Sequence, residues 1–240
     1  MGMINNDRLR RVLMNKKTVF KALGMLMTGV LFFALYGAAA LPSAHAANEK
    51  KPTVTSHTYK NIKALKYPQV ANVSTKSLQN RINKDFKRYI EQSYKDYVKN
   101  KKDGQQHGYQ TDYQTSFEVK YRTGQKLSIL TSNYVYSGGA HGNTAVRSFN
   151  YDLASKKRVY LSDILNTKSK MDKTKTYIYD YIQKHSDIFF PDVKKKDIVL
   201  GKNTAFYYTK DGIAIVFQQY DVAPYAAGNP VVAVPKTVYQ

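Results

Sequence analysis

The chain has 240 residues, of which 38 are Lys or Arg and 17 are Asp or Glu, for a net charge of +21. Because 42% of the residues are hydrophobic and 13% are aromatic, the composition excludes an acidic disordered protein. The absence of cysteine excludes a disulfide framework, a zinc–cysteine site and a thiol nucleophile. Length and composition therefore indicate one folded, basic, tyrosine-rich domain, or two small ones, behind any targeting segment.

An apolar run at residues 22–41 follows six basic residues near the start of the chain. Pro42 ends this run, and Ala44 and Ala46 then occupy the first and third positions of a small-x-small motif. This order is typical of a secretory signal, so we predict a signal peptide over residues 1–46 that is cleaved after Ala46. An uncleaved signal anchor is the alternative, because about 20 apolar residues can span a bilayer. The start of translation stays open between Met1 and Met14.

Export of this positively charged chain limits the classes of partner that it can bind. Residues 47–240 hold 32 basic and 16 acidic side chains, a net charge of +16. We therefore expect a secreted or cell-envelope-associated protein that meets anionic wall polymers such as teichoic acid. Lysines interleaved with tyrosines would also suit single-stranded nucleic acid, but export argues against that partner.

The first part of the exported chain is predicted to contain a strand, a helix and a strand. Residues 47–57 are predicted to be a flexible lead, and residues 58–123 an N-terminal subdomain whose first extended segment runs from Thr58 to Val70. An amphipathic helix of about 24 residues follows a cap at Ser74 or Ser77. Its apolar positions recur at three- and four-residue steps: Leu78, Ile82, Phe86, Tyr89, Ile90, Tyr94 and Tyr97. Lys101 to Gly108 is predicted to be a polar loop.

The second part, residues 124–240, is predicted to be a separate module rich in strands. Alternating residues at 113–121 and 126–136 predict a hairpin, and a third strand follows at 145–151. A second amphipathic helix surrounds Ile178, and a second hairpin turns at Lys210-Asp211-Gly212. The predicted fold is α+β, an antiparallel β-sheet with two long amphipathic helices.

The motifs of known catalytic and metal sites are largely missing. Ser137 and His141, with Asp152 or Asp221, are the candidates for a wall hydrolase or esterase, but their sequence spacing carries little information. Without catalysis, the same glycine-rich segment is a tight turn between strands. The histidines of residues 47–240 are at least 34 positions apart and no phosphate-binding loop is present, so no metal and no cofactor is predicted.

Four tyrosines flank two glycine-containing loops, at Tyr134, Tyr136, Tyr220 and Tyr225. Exposed aromatic side chains beside turns suit a sugar face or a protein partner. The pattern leaves open whether these tyrosines belong to the core or to a contact surface.

The motifs at residues 136–143 and 217–228, with 149–152 and 159–165, resemble the extracellular module known as domain of unknown function 3298. Its usual preceding partner domain would cover the first strand and helix. The module is similar to the outer part of the anti-sigma-V factor of bacilli, a receptor that binds host lysozyme. A related module accompanies the catalytic domain of a peptidoglycan deacetylase.

This resemblance implies an α+β binding module without catalysis of its own. It implies a partner surface on two loops, formed by Ser137, Gly138, Gly139, His141, Pro224 and Tyr225. The pattern of tyrosines beside the loops adds Tyr220 to this predicted surface. The predicted function is binding of a wall component or of an envelope-directed protein such as lysozyme. The alternatives are a wall-active hydrolase that uses Ser137 and His141, and a surface or adhesive protein held by charge alone.

Overall fold

The computed structural model describes residues 51–240. The predicted signal segment, with Ala44 and Ala46, and residues 47–50 of the predicted lead lie outside the described residues. Within the described part, no helix is long and apolar enough to cross a bilayer.

Strands in this part of the chain form two sheets. The first sheet has six strands in chain order, β1 (Thr53–Tyr59), β2 (Ile62–Ala71), β3 (Thr111–Arg122), β4 (Lys126–Ser137), β5 (Asn143–Asp152) and β6 (Lys157–Val159). The second has three, β7 (Ala205–Tyr208), β8 (Gly212–Val216) and β9 (Val231–Pro235). Neighbouring strands are antiparallel apart from β2 and β3, which meet in a parallel bridge between Leu65 and Thr115.

Two long helices flank these sheets. They are α1 (Lys76–His107) and α3 (Lys168–Gln183), and two single turns of helix accompany them, α2 (Leu161–Ile164) and α4 (Lys236–Tyr239). The predicted fold class, α+β with antiparallel sheet and two long amphipathic helices, is therefore confirmed.

The elements stack in the order helix, sheet, sheet, helix. Helix α1 buries Phe86 against Phe149 on one face of the first sheet. The other face of that sheet places Leu130 and Val146 against β7 and β8, and α3 covers the far side of the second sheet. Side chains alternate between the two faces along each strand, so each sheet has buried apolar side chains on both of its faces.

Helix α1 is longer than the sequence predicts. The Thr75 hydroxyl accepts the Leu78 N–H at its start, and Gly108, with φ of 73°, ends it, so the predicted loop from Lys101 to Gly108 is wrong. The buried positions of the last turns are Asn100 and Gly104, and a Cβ on Gly104 would collide with Thr111. The buried face of the last turns is therefore continued by a polar residue and a glycine. A search for apolar periodicity does not detect this end of the helix.

The predicted flexible lead and the single extended segment are also wrong where the structure describes them. Thr53–Tyr59 is a strand that pairs with Ile62–Ala71 in a hairpin. Lys60 and Asn61 form its two-residue turn with φ of 49° and 59°. This turn usually contains glycine, and without one the sequence signal for it is weak.

The predicted division between residues 123 and 124 stays a prediction. The β3–β4 hairpin crosses this point, and the Thr123 N–H donates to the Lys126 carbonyl at 2.9 Å. All described residues belong to one contact unit.

Candidate functional site

The first predicted loop, residues 137–142, joins β4 to β5. Gly138 and Gly139 have φ of 80° and 95°, values that side-chain-bearing residues rarely adopt. The Tyr136 hydroxyl donates to the Gly139 carbonyl at 2.9 Å and holds the turn in place. At the end of the loop, Gly142 lies under the Tyr134 ring, and a Cβ there would collide with that ring. The glycines therefore shape a tight turn that presents Ala140 and His141 to solvent.

The second predicted loop, residues 217–229, is attached to the edge of β5 by side-chain amides. The Gln218 amide donates to the Val146 carbonyl and accepts the Val146 N–H, each at 2.9 Å. Gln219 accepts the Thr144 N–H at 2.5 Å, and the Asn229 amide donates to the Thr144 carbonyl at 3.4 Å. These amides take the place of a neighbouring strand along the part of β5 that β6 does not cover.

This attachment brings the two loops together at three rings. His141 stacks on Tyr225, with ring centroids 3.9 Å apart and planes 23° apart. The Tyr220 hydroxyl lies 3.3 Å from His141 Nε2, and its ring lies 6.1 Å from that of Tyr225. We call His141, Tyr220 and Tyr225 the loop cluster. Tyr220 is 50% exposed and Pro224 is exposed beside Tyr225, so the cluster faces solvent.

Hydrogen bonding assigns the proton on the His141 ring. Nδ1 lies 3.1 Å from the Gly142 carbonyl, which can only accept, so Nδ1 carries the proton in the neutral ring. Nε2 then accepts from the Tyr220 hydroxyl. Both ring nitrogens are thus engaged within the cluster.

The candidate hydrolase residues are not arranged as a catalytic triad. The Ser137 hydroxyl donates to the Asn100 side-chain oxygen at 2.5 Å, whereas a nucleophilic serine would donate to a histidine. Asp152 accepts the Ser155 N–H and Asp221 accepts the Gln218 N–H, which are turn contacts. Ser137, His141 and either carboxylate therefore have separate partners.

Ser137 instead lies at the end of a groove of about 480 Å³ between α1 and the first sheet. Asn133 forms the floor of this groove, accepting from Tyr89 and donating to Ser93 and Tyr113 at 2.7 to 2.8 Å. Burial raises the pKa of both tyrosines above the ordinary value, so they stay protonated in the folded protein. Asp96, Lys99, Asp103 and Arg147 also line the groove, which is therefore polar and of mixed charge.

The structure brings together only part of the predicted site. His141, Tyr220 and Tyr225 are in contact and Pro224 adjoins them, whereas Ser137 contacts α1 and Gly138 packs beside Tyr109. The sequence analysis missed the residues that position the loops, Asn100, Gln218, Gln219 and Asn229. Adjacent glutamines after a buried strand are the available signal, because side-chain amides can pair with an open strand edge. No group of three or more His, Asp or Glu suited to a metal occurs in residues 51–240.

Two family models match successive parts of the chain. The family model described as "Deacetylase PdaC" matches residues 54–144, and that described as "Protein of unknown function (DUF3298)" matches residues 151–237. The chain is 26% identical over 181 residues to the peptidoglycan-N-acetylmuramic acid deacetylase PdaC of Bacillus subtilis. That match covers 73% of this chain but only 37% of the deacetylase, so the chain spans little more than a third of that relative.

Two further proteins are similar to this chain. The uncharacterized protein YxiT of Bacillus subtilis is 42% identical over 77 residues, which are 32% of this chain and 91% of that protein. A crystal structure of a DUF3298 family member from Bacteroides fragilis has the same fold, with a TM-score of 0.50 at 16% identity. The structural match covers 78% of this chain and 88% of the Bacteroides fragilis chain. The resemblance to the DUF3298 family is thereby confirmed: the chain belongs to that family and has a PdaC-type domain ahead of its DUF3298 module. The second loop lies within the DUF3298 match, whereas the first loop lies within the PdaC match.

Proposed function

We propose that this protein is an exported, non-catalytic binding module of the cell envelope, and that the loop cluster contacts its partner. The observation that carries the proposal is the meeting of two loops 79 residues apart, with the His141 ring stacked on Tyr225 at 3.9 Å beside an exposed Tyr220. Rings fixed by stacking lose little conformational entropy on binding, which makes them effective contact residues.

The family relationships support a place at the cell wall. One of the two family models is described as a deacetylase, and the relative matched over 181 residues is a deacetylase whose name specifies N-acetylmuramic acid of peptidoglycan. Export through the predicted signal peptide would bring this chain to the same compartment.

Two partners fit the chemistry of the loop cluster. One is the wall itself, since tyrosine and histidine rings pack against sugar faces. The other is a wall-directed protein such as lysozyme, since Tyr residues in exposed clusters anchor protein interfaces. The binding role is favoured over hydrolysis because Ser137 donates to Asn100 and both His141 nitrogens are engaged.

Binding by full-length protein, purified in mild detergent, tests the proposal. Co-sedimentation with purified walls and immobilised lysozyme provide two arms, each measured at low and high salt. We expect saturable binding in one arm, weakened about tenfold or more by Tyr225→Ala or by Tyr220→Ala, each of which removes one ring of the loop cluster. Tyr177→Ala is the matched control, because Tyr177 is also half-buried but lies on α3.

The outcomes separate the alternatives. If both loop variants bind like the parent, the loop cluster is not the partner surface. Binding that disappears in high salt and is unchanged in both variants would indicate a protein held at the cell surface by charge alone. Product release from peptidoglycan that His141→Ala abolishes would identify a hydrolase instead.

A further inference from the structure

A second groove, of about 440 Å³, opens along the free edge of β5, beyond the attachment of the second loop. Strand β6 pairs with β5 only from Asn150 onward, and Gln218 occupies the backbone groups of Val146. Ser148 lies between these two and lines the groove. Because outward-facing backbone groups alternate along a strand, Ser148 presents its N–H and carbonyl to the groove side.

Three cationic side chains line this groove, Arg147, Arg158 and Lys202, and no carboxylate does. Among the ion pairs of residues 51–240, neither Arg147 nor Lys202 takes part. Arg147 lines both grooves, and the first groove also contains Asp96 and Asp103. Because no carboxylate lines the second groove, it is the more positively charged of the two.

Arg158 is fixed in place before any ligand arrives. Its guanidinium lies 4.4 Å from the centre of the Phe149 ring and 5.2 Å from that of Tyr160, and 3.5 Å from Asp85. Lys202 lies over the Tyr160 ring at 4.9 Å. A guanidinium held by aromatic faces and a carboxylate keeps unused N–H donors in a fixed direction, which suits a tetrahedral anion.

Neutral donors complete the lining. The Thr204 hydroxyl accepts the Gly201 N–H at 2.9 Å, so its own proton is available to another acceptor. The Asn203 amide lies beside it in the lining. Cations with neighbouring neutral donors are the combination that binds both the charge and the remaining oxygens of a phosphate.

We propose that this groove is a binding site for phosphate groups of an anionic, phosphodiester-linked wall polymer of the teichoic acid type. The groove is open and polar, so a repeating polyol phosphate can pass along it while one phosphate contacts Arg158, Arg147 and Lys202. The net charge of +16 for residues 47–240 draws such a polymer to the protein, and the groove gives it a defined place. This site is separate from the loop cluster and does not require that the loops bind a partner.

The test measures binding of full-length protein to purified poly(glycerol phosphate) by calorimetry at two salt concentrations. Arg147→Ala and Lys202→Ala should each weaken binding by about three- to tenfold, and the double variant by more than either. The matched control is the double variant Lys101→Ala, Lys102→Ala, which removes the same charge from the exposed face of α1. It should change the affinity by less than about twofold at the higher salt.

Equal losses in the two double variants would overturn the proposal, because attraction to total charge would then explain the binding. No measurable binding of the parent to the polymer would overturn it as well. Competition by inorganic phosphate distinguishes the ligand sources: displacement only at concentrations near those of a nonspecific salt supports the polymer, whereas displacement by dilute phosphate assigns the groove to the free ion.

The loop variant Tyr225→Ala should retain polymer binding, while the Arg147→Ala, Lys202→Ala variant should retain the binding expected of the loop cluster, to lysozyme or to walls stripped of teichoic acid. Failure of one proposal is thus visible without failure of the other.

Discussion

The side-chain amide of Gln218 pairs with both backbone groups of Val146, at 2.9 Å in each direction. This contact joins residues 72 positions apart and ties the second loop to β5. Tyr220 follows two residues later with φ of 68°, which turns the chain so that its hydroxyl reaches His141. The position of the loop cluster therefore depends on a hydrogen-bonded amide two residues before Tyr220.

Replacing Gln218 with Ala should lower the free energy of unfolding by about 1–2 kcal/mol, because two side-chain hydrogen bonds to backbone are lost. Gln218→Glu should also destabilise, since a carboxylate cannot donate to the Val146 carbonyl. Urea unfolding measures both, with Gln105→Ala on the exposed surface of α1 as the control. A parent-like stability of both Gln218 variants would contradict the role assigned to the amide.

A second prediction concerns Gly142 in the first loop, where an added Cβ would collide with the Tyr134 ring. We expect Gly142→Ala to lower the stability by about 1–3 kcal/mol through this overpacking, and to displace His141 from Tyr225. Gly201→Ala is the control, because a Cβ at Gly201 meets no atom within 4 Å. Thermal unfolding gives the stability, and the ring-proton NMR shifts of His141 report the stacking. Unchanged shifts and stability in Gly142→Ala would show that the Tyr134 ring moves freely.

Much of the fold could be predicted because periodic apolar residues specify it locally. The β3–β4 hairpin and α3 follow from alternation and from helical spacing, respectively. The C-terminal end of α1 could not be predicted from such a pattern. Asn100 is buried there because it donates hydrogen bonds to the carbonyls of Asp112 and Tyr136. A local pattern does not reveal a polar residue whose partners lie in distant strands.

The candidate site was predictable to a smaller extent. The residues of the loop cluster were identified by resemblance, but their contact depends on pairing of Gln218 and Gln219 with β5. The basic groove draws Arg147, Arg158 and Lys202 from three separate segments, and no spacing in the sequence connects them. Sites that form where strand edges meet loops need the tertiary structure to be recognised.

The polar floor beneath the first groove should contribute substantially to stability. Asn133→Leu would leave the Tyr89 and Tyr113 hydroxyls and the Ser93 hydroxyl without this partner, at a cost of about 2–3 kcal/mol. Asn80→Leu, on the exposed side of α1, is the matched control and should have little effect. Urea unfolding measures the difference between the two variants. Equal stability of the Asn133 and Asn80 variants would mean that water replaces the amide without cost.

The buried tyrosines predict loss of stability in alkali. Burial raises the pKa of Tyr89, Tyr151 and Tyr208 above the ordinary value near 10, and Asp85 beside Tyr151 adds to the effect there. Each contribution is complete below pH of about 10 and is lost above it, because the unfolded chain releases these protons first. Tyrosinate absorbance and circular dichroism, followed together through a pH titration, should show exposed tyrosines ionising in the folded protein and the buried ones only as it unfolds. Tyr208→Phe should flatten the fall in stability above this pH, and ionisation of all 21 tyrosines in one step without loss of structure would contradict the assignment.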